Sequence, residues 1–191
     1  MASYKNKVKK LLKLGYIVKQ EQVQQEGAYV ELDRNYYLTD KGRFAKHLYS
    51  NEVVLTELFH LKFLDQFSEL DLLTLLAAIV YEERRLDYFM IKGSEKTYKR
   101  IMSRIHGTHV FTGINKIHLK RMINFVKAWA TGAKFSELMK FSNLQEGDII
   151  RFFRRLIDTI TQLQHATEDE ELRDKLGALI RRIDRDFVAE I

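Results

Sequence analysis

Glu146-Gly147-Asp148-Ile149-Ile150-Arg151-Phe152-Phe153-Arg154-Arg155-Leu156-Ile157-Asp158 is the most informative stretch of this chain. Ile149, Phe153, Leu156, Ile160 and Leu163 are spaced four and three residues apart in alternation. That spacing brings side chains to one face of an α-helix. Arg151, Arg155, Asp158 and Gln162 follow the same rhythm on a different face. The pattern predicts one long helix over 145–166, with a buried apolar seam and a polar ladder about 16 Å long. Arg151 and Arg155 are like charges one turn apart, which costs about 0.2–0.5 kcal/mol unless an anion lies over them. Guanidinium groups grip phosphates in bidentate fashion and stack on bases. Asp158 and Gln162 can hydrogen-bond base edges or hold the arginines in place. The plainer reading of the same residues is a solvated basic helix face with an Asp158–Arg155 pair.

Outward from this helix, the helical pattern continues on both sides. Thr167 and Glu170 read as a capping box opening a last helix over 168–188. Acids at 168–171 crowd its positive end, and Arg181, Arg182 and Arg185 its negative end, the order that suits a helix dipole. Upstream lie a short helix at 135–140 and a helix over 114–131. The latter draws its core from Ile117, Met122, Ile123, Phe125, Val126 and Trp129, and Gly132 stops it. Tyr98, Ile101, Met102 and Ile105 predict a helix over 95–105, and Gly107 and Gly113 bracket a loop. Ser68 and Asp71 open a helix running to Arg85, apolar on nearly every side between Leu72 and Val80, hence the buried centre of a bundle. One further helix covers 51–60.

The rhythm changes before residue 50. Residues 4–14 form a short helix with Val8, Leu11, Leu12 and Leu14 on one side and Lys5, Lys7, Lys9, Lys10 and Lys13 around it, ending at Gly15. Short strands are expected at Tyr16–Val18, Tyr29–Leu32 and Tyr36–Leu38, with a turn at Gly27. Thr39 and Asp40 are N-cap residues for a helix reaching about Tyr49. A helix, a two-stranded ribbon and Leu-Thr-Asp-Lys-Gly-Arg make the back half of a winged-helix domain. The expected fold is mainly α. A partial winged-helix segment with a short β-ribbon, 1–50, precedes a helical bundle, 51–191.

Composition narrows the chemistry. The 191 residues carry a net charge of +6, which suits a phosphate backbone or an anionic surface. The absence of cysteine excludes disulfides and thiolate metal sites. The six histidines show no H-E-x-x-H spacing, and no metal ligands are expected. There is no G-x-x-x-x-G-K-[ST] loop for a nucleotide, no G-x-S-x-G and no G-x-G-x-x-G. Asp169-Glu170-Glu171 begins a helix instead of ending a strand. Glu82 and Glu83 would point about 100° apart on a helix, a solvated helix end and not an acid–base pair. No catalytic residue is expected. No run approaches the roughly 18 apolar residues of a membrane span, and the polar amino terminus is no secretory signal. The cytoplasm, or the nucleus of a eukaryote, is the expected compartment.

The run E-G-D-I-I-R-F-F-R-R-L, with T-Q-L after it and I-D-R-D-F-V at 183–188, resembles the DSHCT domain. That domain ends the DExH-box RNA helicases of the superkiller and exosome-cofactor type. Other stretches agree in family order. Tyr4-Lys5-Asn6-Lys7 through Leu14-Gly15-Tyr16-Ile17 resembles the last winged-helix helix and its L-G-Y-I turn. Leu38-Thr39-Asp40-Lys41-Gly42-Arg43-Phe44-Ala45 is similar to L-T-x-K-G-R-x-A, and 52–58 to E-L-L-L-T-E-L. Ala128-Trp129-Ala130-Thr131-Gly132 with Phe135 resembles W-A-x-G-x-x-F.

The resemblance implies a module that closes the ring behind two RecA-like ATPase domains, with 145–166 as the "ratchet" helix touching the single strand. The family's strand-contacting positions fall on Arg155 and Asp158, with Arg151 one turn earlier. Gln162 and Arg154 complete the candidate set. The acid is Asp158 where eukaryotic members carry Glu, and the wing region, 18–37, is longer than the family's. The chain ends at Ile191 without the family's short tail. The implied partners are single-stranded RNA or DNA and RecA-like helicase domains in cis or in trans, with no membrane. ATP and Mg would belong to those motor domains, and no cofactor to this chain. Two other readings stay open. One is a protein-docking module. The other is a winged-helix DNA-binding regulator that dimerises and binds duplex through the lysines of the first helix.

Overall fold

The computed structural model describes residues 2–23, 30–33, 35–60, 66–90 and 94–189. The chain divides into two compact units, Met1–Thr56 and Glu57–Ile191.

In the first unit, helix α1 (Ala2–Lys13) keeps Val8, Leu11 and Leu12 half-buried and its five lysines exposed. Gly15 ends it with φ +74°, a left-handed conformation that glycine adopts without strain. Strands β1 (Ile17–Lys19), β2 (Val30–Asp33) and β3 (Tyr36–Leu38) form an antiparallel sheet in the order β1-β3-β2. Leu38 lies opposite both Ile17 and Val30. The three strand segments read from the sequence thus form one small sheet, because β3 pairs along both edges. Gly27 and Tyr29, read as a turn and a strand residue, lie outside the described residues.

Helix α2 (Asp40–Ala45) is capped by Thr39, whose Oγ1 accepts from the Gly42 N–H at 3.1 Å. It stops at Ala45, short of the expected Tyr49. Thr39 Oγ1 also lies 2.7 Å from the Gly15 carbonyl, to which it donates, and Lys41 Nζ donates to the Leu14 carbonyl at 2.8 Å. A Cβ on Gly42 would sit 2.1 Å from the Tyr16 carbonyl oxygen, so only glycine fits that crossing. The Leu-Gly-Tyr-Ile turn and the Leu-Thr-Asp-Lys-Gly-Arg run, far apart in sequence, are one packed junction.

Helix α3 (Glu52–His60) spans the division between the units. The second unit contains α4 (Glu69–Val80), α5 (Glu95–Ile105), α6 (His109–Gly113), α7 (Lys116–Ala130), α8 (Phe135–Leu138), α9 (Glu146–Ala166) and α10 (Glu170–Ile183). Leu72, Leu73, Leu75, Leu76 and Ala77 of α4 are fully buried, as an all-round apolar helix requires. This central helix packs mainly on α7 and also touches α9, α10 and α5, while α10 lies along α9. Phe125 and Phe153 stack with ring centroids 5.8 Å apart, and Trp129 sits 5.5 Å from Phe153. These rings bring α7 and α9 together.

Four expectations are corrected. Helix α4 ends at Val80, not Arg85, because Tyr81 turns to extended backbone (ψ 123°). The segment between Gly107 and Gly113 holds a turn of helix, α6, because Thr108 accepts from the Phe111 N–H and caps it. The cap of α10 is Asp169, accepting from the Leu172 N–H at 3.1 Å, while Thr167 ends α9. An acid one residue before the helix serves both the orphan N–H groups and the dipole, which Thr167 is too far back to do. Finally, α10 stops at Ile183, and a 3-10 turn, Asp186–Val188, follows with Asp186 at φ +53°.

Candidate nucleic-acid interface

The apolar rhythm of α9 is realised in full: Ile149, Phe153, Leu156, Ile160 and Leu163 are all completely buried. Phe152 adds to the seam and is also buried. The seam fixes the rotation of the helix about its axis and so sets the opposite face outward. Arg151 and Asp158 are exposed there, and Arg155 and Gln162 are half-buried. The structure brings these four together on one side of α9. It does not bring Arg154 to them. That side chain turns toward the carboxy-terminal turn and donates to the Val188 carbonyl at 2.8 Å.

The residues after α4 complete the site. Tyr81 is buried, with ring edges against Phe89, His118 and Phe152. Its hydroxyl donates to Asp87 Oδ2 at 2.5 Å, and the Arg84 N–H donates to the same oxygen at 3.0 Å. Burial, then the Asp87 carboxylate, pushes the phenol up from its ordinary value. Residues 82–84 belong to no helix or strand, and their side chains part to two sides. Glu82 and Arg84 reach α9, while Glu83 reaches α7, pairing with Arg121 and lying 3.4 Å from His118 Nε2.

The two pairs made with α9 differ in kind. Arg84 grips Asp148 with two hydrogen bonds, one at 2.7 Å, and the Asp148 side chain is only 13% exposed. Arg155 donates a single bond to Glu82 Oε1 at 2.5 Å, and the Glu82 side chain is 73% exposed. The arginines hold these carboxylates below their ordinary values: Arg84 acts on Asp148, Arg155 on Glu82, and Arg121 on Glu83. Between 81–87 and α9 lies a cleft of about 270 Å³, with Tyr81, Leu144 and Phe152 among its apolar walls and Arg151 and Arg155 among its charged ones.

The like-charge cost at Arg151 and Arg155 is thus offset inside the molecule. Asp148 lies 3.5 Å from Arg151, and Glu82 is on Arg155. The Asp158–Arg155 pair of the plainer reading is not among the ion pairs of the described residues, and Arg155 is engaged by Glu82 instead. The Asp158 side chain makes no hydrogen bond or ion pair with another described residue. Sequence reasoning missed Glu82 and Arg84 as members of the site, since it sets both on a solvated helix end. Their signal, a Glu-Glu-Arg-Arg run directly after an apolar helix, becomes legible only once that helix stops at Val80.

The chain matches the DSHCT (NUC185) domain over residues 35–190. It is 29% identical to the antiviral helicase SKI2 of Saccharomyces cerevisiae over 177 residues, covering 82% of this chain and 14% of that protein. An uncharacterized helicase of Schizosaccharomyces pombe is 29% identical over 164 residues (78% of this chain, 16% of the relative). The exosome RNA helicase MTR4 of Mus musculus is 28% identical over 166 residues, again 78% and 16%. The chain therefore spans about one sixth of the length of these relatives or less. It belongs to the DSHCT domain family, the helicase-associated domain of SKI2/MTR4-type RNA helicases. No helix among the described residues is long and apolar enough to cross a membrane.

Proposed function

We propose that this chain is the carboxy-terminal nucleic-acid-guiding module of a superfamily 2 DExH-box RNA helicase. It contacts a single strand of RNA, or of DNA, while RecA-like motor domains in cis or in trans hydrolyse ATP with Mg. The observation that carries this reading is the orientation of α9: its opposite seam is fully buried, so Arg151, Arg155, Asp158 and Gln162 form one outward ladder. Arg151 and Arg155 meet phosphates or stack on bases, and Asp158 and Gln162 meet base edges. Arg154 supports α9 from behind through the Val188 carbonyl. The ladder resists back-slippage of the strand between motor cycles. The module works in the cytoplasm, or in the nucleus of a eukaryote.

The test is binding to a fluorescent single-stranded RNA across a salt series, for the wild-type chain and the Arg151→Ala/Arg155→Ala variant. Salt-sensitive binding is expected. The slope against log salt should fall by about 1.4 in the variant, because each phosphate neutralised on a single strand contributes about 0.7. Absence of wild-type binding at low salt overturns the reading.

A second reading, a docking module for helicase domains, is favoured by one segment. Leu86, Tyr88 and Met90 are all exposed, Leu86 at 82%. On that reading, serine at these three positions abolishes association with a RecA-domain pair and leaves RNA binding unchanged.

A further inference from the structure

The cleft beside α9 contains an anion site that is already filled from within. We propose that Glu82 is a carboxylate stand-in for the strand: one phosphodiester of a single-stranded RNA enters the cleft, displaces Glu82 and takes its place on Arg155. The inference rests on the reading of α9 as a strand-contacting helix, and it assigns that helix a specific phosphate subsite.

A carboxylate and a phosphodiester both offer anionic oxygens to a guanidinium, at similar charge-assisted distances. Arg155 donates to Glu82 Oε1 at 2.5 Å, so its guanidinium is already oriented for an oxygen in that position. The contact is built to exchange. It is a single hydrogen bond to a side chain that is mostly in solvent, and such pairs contribute little net stability. The neighbouring pair is built to stay. Arg84 holds Asp148 with two bonds, and Asp148 is largely covered. Glu83 fastens the same segment to Arg121 on its other side.

Residues 82–84 are therefore anchored at Arg84 and Glu83 and releasable at Glu82. When a phosphate takes Arg155, the segment stays in place and Glu82 alone swings into solvent. It remains close enough to reclaim the arginine when the strand advances. Arg151 sits one turn before Arg155 at the same cleft, exposed and, among the described residues, held by a 3.5 Å contact to Asp148, so it can meet the strand first. The open space beside the pair, about 270 Å³ and lined by Glu82, Arg151 and Arg155, offers the phosphate room beside the arginine. The Arg155 guanidinium holds the Glu82 carboxyl below its ordinary range, so the stand-in is charged at neutral pH.

The experiment is a double-mutant cycle read by affinity for fluorescent single-stranded RNA at low salt: wild type, Glu82→Gln, Arg155→Ala and Glu82→Gln/Arg155→Ala. Circular dichroism checks that each variant is folded. Glu82→Gln is expected to tighten binding about two- to fivefold, the fold-change that frees a weak surface pair. Arg155→Ala weakens binding, and in its background Glu82→Gln has no effect. If Glu82→Gln weakens binding or leaves it unchanged while Arg155→Ala weakens it, the stand-in is overturned and the strand-contacting helix survives. A tightening that persists in the Arg155→Ala background is a general charge effect and also overturns it. If Arg155→Ala leaves affinity unchanged, or the wild-type chain does not bind, the strand-contacting reading fails and this subsite with it.

Discussion

The guanidinium of Arg185 lies 3.7 Å from the centroid of the Trp129 ring and donates to the carbonyls of Trp129 at 2.6 Å and Ala133 at 2.8 Å. The Trp129 indole N–H in turn donates to the Ile183 carbonyl at 2.9 Å. The end of α7 and the end of α10 are thereby joined by one reciprocal contact. Phe135 and Phe187 extend it with centroids 5.4 Å apart. Arg185→Ala should lower stability by about 2–3 kcal/mol, because it removes charge-assisted hydrogen bonds and a partly desolvated cation–π contact. Arg185→Lys should recover less than half, since an ammonium cannot both lie flat on the ring and fork to two carbonyls. Urea unfolding followed by circular dichroism measures both. A lysine variant as stable as wild type would show that charge alone matters there.

Gly42 and Gly147 both lie in motifs that carry the family resemblance, yet they should respond in opposite ways to alanine. At Gly42 the added Cβ meets the Tyr16 carbonyl oxygen at 2.1 Å, a backbone atom that cannot move aside cheaply. Gly42→Ala should cost about 2–3 kcal/mol, and its damage should appear in the first unit. At Gly147 a Cβ meets nothing within 4 Å, and the residue sits in the first turn of α9. Gly147→Ala should be neutral or stabilising by up to about 0.5 kcal/mol. Amide hydrogen exchange on each variant locates the change, and a Gly147→Ala variant that loses stability would refute this account.

Asp71 shows how a cap residue became a tertiary anchor. Ser68 Oγ accepts from the Asp71 N–H as expected of a helix start. The Asp71 carboxylate does not reach back to the cap. It accepts from Arg100 Nε at 2.6 Å and Nη2 at 2.7 Å and is only 4% exposed, so it ties α4 to α5. Arg100→Ala leaves this carboxylate nearly buried without its cation and should cost about 2 kcal/mol, less than a fully buried pair because Arg100 is half in solvent. Adding Asp71→Asn should recover part of the loss. Thermal unfolding of the two variants decides it, and equal stabilities would argue against an uncompensated charge as the cause.

Acid should loosen the segment after α4 selectively. Glu82, Glu83 and Asp148 have folded-state values below their ordinary ones, owing to Arg155, Arg121 and Arg84 respectively. A carboxylate with a depressed folded value contributes stability that is present above its unfolded value and lost as pH falls through the folded one. The contribution should be complete above about pH 5 and fade below about pH 4. Protection from hydrogen exchange at residues 82–88, measured against the intrinsic amide rate at each pH on both sides of this range, should fall on acidification. The effect should be absent in Glu82→Gln/Glu83→Gln/Asp148→Asn. Equal acid sensitivity in that variant would place the loosening elsewhere.

Much of α9 is legible in the chain itself, because its information is local. Four- and three-residue spacing of Ile149, Phe153, Leu156, Ile160 and Leu163 makes one helix face, and burial of all five follows from their chemistry. The all-apolar α4 is legible for the same reason, as are the stops at Gly15 and Gly132, whose φ values of +74° and +102° suit glycine. Boundaries that depend on competition are not. Thr167 and Asp169 are both good caps, and the choice falls to the residue nearer the helix. The run Glu82-Glu83-Arg84-Arg85 has helical propensity, so nothing local announces that the helix ends at Val80. The buried Tyr81, held by Asp87 and walled by Phe89, His118 and Phe152, draws the chain out of the helix there.

Sequence alone determined that this is a mainly helical DSHCT-family domain with an outward row of Arg151, Arg155, Asp158 and Gln162, since helical period and motif order are properties of neighbours along the chain. Tertiary structure alone decided which charges that row faces. Glu82 lies 73 residues from Arg155 and Arg84 lies 64 from Asp148. Coulomb attraction and hydrogen bonding depend on distance in space, and no local spacing encodes which of the chain's 26 acidic residues the fold will set against a given arginine.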